Sequence, residues 1–149
     1  PVMVCVKFAR SADLAQWSKV DGLIFTGANR EYSACPVLRY HAPYYYVIYL
    51  HAAIPGHTGW VSFLARSRDL ESWDLSPFNP ILEAGPGEGI NNSDVDIFEW
   101  EGRTYLYYAT GDQSTWGAVR TAQYSGPMRE LFERSFPPGL PTLRVTTRH

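Results

Sequence analysis

The sequence predicts an all-β fold, a β-propeller, on three observations. Short segments rich in β-branched and aromatic residues are bounded by turn residues, and 12 glycines and 11 prolines punctuate the 149-residue chain. Helix signals are almost absent. The strands recur in order, since ARSADLAQW at 9–17 returns as ARSRDLESW at 65–73. Four antiparallel strands repeated at roughly 50 to 60 residues are typical of propeller blades, and a β-sandwich is the alternative.

The individual strands are predicted in chain order at 2–11, 44–50, 60–67, 94–100 and 104–110. Sliding 34–49 by 60 residues places it without a gap on 94–109, which matches apolar positions with apolar positions and one turn with another. One hairpin is therefore predicted twice. A third strand follows each hairpin, and a short fourth segment comes after it, at 73–75 in one copy and at 130–134 in the other.

These units predict about two and a half four-stranded blades. The blades comprise a partial blade at 2–20 and two further blades at 34–76 and 93–136, and residues 137–149 are expected to be a linker or a disordered tail. Propellers typically close 4 to 8 blades into a ring, so this chain alone would leave the ring open. We expect either a larger protein or a homodimer whose two copies complete the propeller.

Charge and composition exclude several classes of partner. A net charge of −2 and an isoelectric point near 6.1 give no basic run for nucleic acid or an anionic membrane. No apolar run approaches the roughly 20 residues that span a bilayer, and no signal peptide is expected in PVMVCVKFAR. Cys5 and Cys35 fit no metal-ligand spacing and are expected to be small buried thiols, with a bridge between them left open. We predict no metal and no cofactor.

Three motifs together resemble a known group of enzymes. They are the repeated A-R-S-x-D-L-x-x-W, then SPFNPIL at 76–82, then NNSDVDIFEWEGRTYLYYATGDQ at 91–113. This combination resembles the five-bladed β-propeller glycoside hydrolases of families 43, 32 and 117, over residues 2–136 and about half of a family domain. The resemblance implies a funnel-shaped pocket in which innermost strands present carboxylates to an oligosaccharide or polysaccharide, for hydrolysis of O-glycosidic bonds.

Asp94 and Asp96 are the predicted catalytic residues. They stand at i and i+2 of the innermost strand of the third blade, so a regular strand would place them on one side with Cα atoms about 6.5 to 7 Å apart. Burial without partners would be costly, which favours a wet pocket. One of them could instead cap a turn, and both could bind sugar hydroxyls. In the second blade, residues 34–37 (ACPV) lack the acids that relatives carry there.

Further candidates lie in loops next to the inner strands. We predict substrate contacts by residues of HAAIPGHTGW in the second blade, of GDQSTWG in the third, and by one glutamate before the pocket strand: His51, His57, Trp60, Asp112, Gln113, Trp116 and Glu88. Each could also be an ordinary loop residue. Asp13 and Asp69, inside the repeated motif, are expected to fix turns through bonds to the backbone.

Two functions from different classes follow. The first is a glycosidase that acts by carboxylate acid/base catalysis. The second is a non-catalytic carbohydrate-binding or assembly module whose catalytic acids are lost. A glycan phosphorylase would need a basic phosphate cluster, and only Arg39 and Arg103 lie near the inner strands.

Overall fold

A computed structural model describes residues 4–27, 32–52 and 59–147 of the chain. The all-β prediction is confirmed, because ten strands and a single seven-residue helix are found within those ranges. The elements in chain order are β1 Val6–Arg10, β2 Ser18–Phe25, β3 Ser33–His41, β4 Tyr44–His51, β5 Val61–Ser67, β6 Ser72–Leu75, β7 Asn91–Trp100, β8 Arg103–Gly111, β9 Gly117–Tyr124, α1 Met128–Arg134 and β10 Leu143–Thr146.

The strands form three open antiparallel sheets. The first sheet pairs β1 with β2, the second has the order β10-β6-β5-β4-β3, and the third has the order β7-β8-β9. Consecutive strands are neighbours, as short turns require. The two predicted hairpins are therefore present as β3–β4 and β7–β8, each at the β3 or β7 edge of its sheet.

The two hairpins superpose with a shift of 59 residues, and the predicted shift of 60 is wrong. Ser33 pairs with His51 in the second sheet, and Asn92 pairs with Thr110 at the same place in the third. The error has a chemical origin, since the aromatic run Tyr44–Leu50 matches the other hairpin almost equally well one residue out of register. A slip of one residue exchanges the two faces of a strand.

Two apolar clusters hold the sheets against each other. Phe25 of the first sheet packs with Tyr49 and Trp73 of the second, at ring centroid distances of 4.9 Å in each case. On the other face of the second sheet, Tyr46 and Ile48 pack with buried side chains of the third sheet. Every second residue of β4 thus serves a different cluster, which is the alternation that a strand buried on both faces requires.

The segment predicted as the fourth strand of the third blade is a helix. Residues 130–134 belong to α1, and Met128 and Phe132, which lie one turn apart, are buried in the cluster between the second and third sheets. The ring of Phe132 stacks on that of Tyr46 at 4.4 Å. The packing of these two side chains explains why the segment winds as a helix against the sheets.

The C-terminal segment is also ordered differently from expectation. Strand β10 pairs with β6 in the second sheet, and the Thr147 amide donates to the Glu71 carbonyl at 2.7 Å. Arg144 bonds Asp74 at 2.8 Å. A linker or disordered end is therefore wrong for 143–147.

The repeated motif builds the same turn twice, as predicted. In each copy a serine hydroxyl and an aspartate carboxylate accept backbone N–H bonds: Ser67 and Asp69 do so in the second copy, and Ser11 and Asp13 in the first. These bonds hold the pKa of Asp69 below its usual value, with the Ser72 amide as the main cause. The motif is architectural.

Two further sequence expectations are settled by the described residues. Cys5 and Cys35 are free thiols, and Cys35 is exposed, so its expected burial is wrong. Among the described residues, the structure contains no helix whose length and apolar character would let it cross a membrane.

Candidate functional site

Asp94 is presented by a β-bulge at the start of β7. The ladder between β7 and β8 shifts register between Ser93 and Asp96, and Asp94 has a φ of 53°, a left-handed conformation. Its side chain is exposed, and its Oδ2 accepts a bond from the Ser93 hydroxyl at 2.5 Å. The bulge, rather than the pleat of a regular strand, therefore directs this carboxylate.

Cys35 occupies the equivalent bulge of β3 and bonds to Asp94. The second sheet shifts register between Ala34 and Val37, and Cys35 has a φ of 46°. Burial raises the pKa of the Cys35 thiol to about 11, and the bond to and the charge of Asp94 raise it further. The thiol is thus protonated at neutral pH and donates to the carboxylate.

Asp96 is engaged by Arg39 across the seam between β3 and β7. Nη2 of Arg39 lies 2.9 Å from Asp96 Oδ1 and also donates to the Ile97 carbonyl at 2.8 Å. Asp96 Oδ1 accepts the Ile97 amide at 2.8 Å. The side chain of Asp96 remains 72% exposed, so the carboxylate is oriented by the arginine but open to solvent.

These residues form one group, the seam cluster, defined as Cys35, Arg39, Asp94 and Asp96. Sequence reasoning predicted the two aspartates but missed Cys35, because the shift of 60 residues opposed Asp94 to Ala34. The corrected shift opposes Asp94 to Cys35 and Asp96 to Val37. The second blade therefore contributes a thiol and a methyl-bearing side chain where the third contributes two carboxylates.

Glu88 is held by the protein instead of facing a ligand. Its side chain is 14% exposed, and its two oxygens accept bonds from the Tyr108 hydroxyl and the Gly85 amide, each at 2.9 Å. Arg120 lies 3.7 Å away. These partners satisfy both carboxylate oxygens, and the Gly85 bond closes the turn before β7. The predicted substrate contact by Glu88 has no free oxygen to serve it.

The second-blade loop supplies less than was predicted. His51 is only 4% exposed and stacks on Phe63 at 4.2 Å. Burial lowers the pKa of His51, so its imidazole is neutral at physiological pH. Its expected position on a pocket wall is wrong. Trp60 is half-buried against Tyr32, with ring centroids 4.7 Å apart, and His57 lies outside the described residues.

The third-blade loop divides its three candidates into a turn former and two exposed side chains. Asp112 Oδ1 accepts the amides of Ser114, Thr115 and Trp116. The Thr115 hydroxyl, followed by these amides, holds the pKa of Asp112 well below its usual range. Asp112 therefore fixes the loop.

Gln113 and Trp116 line a groove that the sequence did not reveal. It has a volume of about 450 Å³ and includes Asn91 of β7. Trp116 is 43% exposed there. The position of Asn91 opposite Gly111 on β8 brings it beside this loop, which only the strand pairing could show.

Comparison with known proteins gives a likeness at the level of fold. No protein-family model and no curated protein matches the chain. A solved structure described as a glycoside hydrolase is similar, with a TM-score of 0.64 and 18% sequence identity. The match covers 80% of this chain and 35% of that one, so the chain spans about a third of its length.

Proposed function

We propose that this chain is part of a carbohydrate-active β-propeller that hydrolyses O-glycosidic bonds, with the seam cluster at its reacting centre. The observation that carries the proposal is the Asp94 bulge, which holds an exposed carboxylate at the start of an inner strand. A fold shared with a protein described as a glycoside hydrolase supports the same reading. The finer assignment, a five-bladed ring related to family 43, is part of this proposal.

Asp94 is assigned the role of base or nucleophile. A glycosidase needs one carboxylate that activates water or attacks the anomeric carbon and one carboxylic acid that protonates the leaving oxygen. Ser93 and Cys35 both donate to Asp94. Donors of this kind stabilise the ionised form, which is the form that either role requires.

Asp96 is assigned the second carboxyl group of the pair. Arg39 fixes the direction of its carboxylate while leaving it mostly exposed. The exposure allows a sugar hydroxyl or glycosidic oxygen to approach it. Orienting a reacting group in this way is a large part of what an active site contributes to rate.

The three sheets are proposed to be successive blades, 2–20, 34–76 and 93–136, of a ring that a second copy completes. In the second sheet Tyr46 and Ile48 are buried against the third, at 3% and 2% exposure. Their equivalents on the third sheet are Tyr105 and Tyr107, and Tyr107 is 42% exposed. A further sheet is expected to cover that face. Sedimentation should detect a dimer, and a monomer at all concentrations contradicts ring closure by a second copy.

The second candidate is a carbohydrate-binding module without catalysis. It is favoured by one observation, namely that Cys35 and Val37 stand where the third blade carries Asp94 and Asp96. A blade that lacks its acid leaves fewer carboxylates for chemistry. This candidate predicts saccharide binding without turnover.

Reducing-sugar release from neutral polysaccharides tests the proposal. Asp94→Asn removes the ionisable group while keeping the shape, and we expect a loss of about 10² to 10⁴-fold in rate. Asp21→Asn is the matched control, since Asp21 is an exposed aspartate of β2 in the first sheet. Full activity in Asp94→Asn and in Asp96→Asn would overturn the assignment.

A further inference from the structure

We propose that the groove formed by Asn91, Gln113 and Trp116 is a subsite for one neutral sugar unit of a saccharide chain. The inference rests on the proposed function, because it deepens the statement that the chain acts on carbohydrate. It assigns a binding role to Asn91, which neither the motifs nor the seam cluster involves.

The groove has the size and position of a small-molecule subsite. Its volume of about 450 Å³ falls within the roughly 300 to 1,000 Å³ of such sites. Asn91 stands three residues before Asp94 on β7, about 10 Å along an extended strand. A saccharide that reaches Asp94 can therefore place a neighbouring unit in the groove.

Asn91 provides a polar group that lacks a protein partner. The residue is 7% exposed, and no described residue hydrogen-bonds its Oδ1. A buried polar atom without a partner is unfavourable, and nearly all such atoms in folded proteins are satisfied. Rotation of the amide exchanges its oxygen and nitrogen, so either a donor or an acceptor can meet a hydroxyl in the groove.

Trp116 provides an apolar platform that the loop holds in place. Its amide is fixed by Asp112, and Gly111 allows the close approach of the loop, since a Cβ at Gly111 would lie 2.4 Å from the Trp116 carbonyl oxygen. The indole is thus exposed and oriented before any ligand arrives. Such preorganisation reduces the entropy lost on binding.

The lining selects a neutral sugar over other ligands. Among the described residues, no charged side chain lines the groove, and Ala109, Gly117 and Ala118 leave room beside the indole. An aromatic face with amides at its edge matches a sugar ring, which has apolar C–H faces and hydroxyls around its rim. A charged ligand would find no counter-ion here.

The test follows the indole N–H signals of the ¹⁵N-labelled full chain, which contains five tryptophans. The probes are neutral tetrasaccharides of β-1,4-glucose, β-1,4-xylose and α-1,5-arabinose, with tetragalacturonate as the charged comparison. We expect a neutral tetrasaccharide to shift the Trp116 signal. Trp116→Ala should weaken binding roughly tenfold or more, and Trp116→Phe should restore part of it.

Asn91→Ala should also weaken binding, with its fold checked by its melting curve. Trp100→Ala is the control, since Trp100 is 63% exposed at the opposite end of the same strand. If no neutral tetrasaccharide shifts the Trp116 signal, or if binding is indifferent to both Trp116 and Asn91, the subsite is overturned.

These outcomes separate the subsite from the hydrolase function. Binding that depends on Trp116, in a wild-type chain that releases no sugar, leaves the subsite standing and removes the hydrolase. Sugar release with binding indifferent to the groove does the reverse. Asp94→Asn should bind the tetrasaccharide as the wild type does.

Discussion

The hairpins β3–β4 and β7–β8 have the same architecture and differ in what they present. Both contain a bulge with a left-handed residue at the same register position, Cys35 in one and Asp94 in the other. One face of the first hairpin is buried between sheets, while the equivalent face of the second is exposed. The backbone device is therefore shared, and the side chain placed on it decides whether a blade carries chemistry.

The largest expected difference lies between the two copies of the motif tryptophan. Trp73 is fully buried between the first and second sheets, whereas Trp17 is 59% exposed. Trp73→Ala should lower the free energy of unfolding by about 3 to 5 kcal/mol, and Trp17→Ala by about 0.5 kcal/mol or less. Urea unfolding of both variants measures this. Equal losses would contradict the assignment of one copy to an inter-sheet core.

A second pair compares the equivalent faces of the two hairpins. Ile48→Ala removes a residue that is 2% exposed, and Tyr107→Ala removes its equivalent, which is 42% exposed. We expect a loss of about 2 to 5 kcal/mol for Ile48→Ala and a clearly smaller one for Tyr107→Ala in the monomer.

Protein concentration sharpens this pair. If a second copy covers Tyr107, the loss for Tyr107→Ala should grow with protein concentration, because association stabilises the folded state by mass action. A loss for Tyr107→Ala that already equals that of Ile48→Ala in dilute monomer would mean that the two faces are not different.

The smallest expected effect is the pH dependence of the second turn. The pKa of Asp69 is lowered on folding, so its contribution to stability is present above the unfolded pKa of about 3.9 and is lost as the pH falls toward the folded value. Asp69→Asn removes this dependence. The stability gap between wild type and Asp69→Asn should shrink from pH 6 to pH 3, by less than about 1 kcal/mol because solvent screens the exposed carboxylate. A gap that widens toward pH 3 would contradict the turn role.

The sequence was sufficient for the strands and insufficient for their details. Alternating aromatic and β-branched residues predict both hairpins, and the Ser–x–Asp spacing predicts both turns. The run of three tyrosines at 44–46 has no periodicity of its own, so it could not fix the register to one residue. The bulges, which depend on pairing, placed Cys35 beside Asp94.

Helix α1 and strand β10 were missed for a related reason. Residues 128–134 and 143–146 are short and take their structure from partners far along the chain, such as Tyr46 for Phe132 and β6 for β10. The groove at Asn91 was missed because it joins the start of one strand to the loop after the next. Local patterns do not record such contacts.

One measurement addresses the difference between the two bulges directly. Cys35→Ser and Asp94→Ser place the same side chain at equivalent positions of β3 and β7, and reducing-sugar release compares them. We predict that Asp94→Ser abolishes release while Cys35→Ser, whose hydroxyl can still donate to Asp94, keeps most of it. Equal activity in the two variants would contradict the claim that the third blade alone presents the reacting carboxylate.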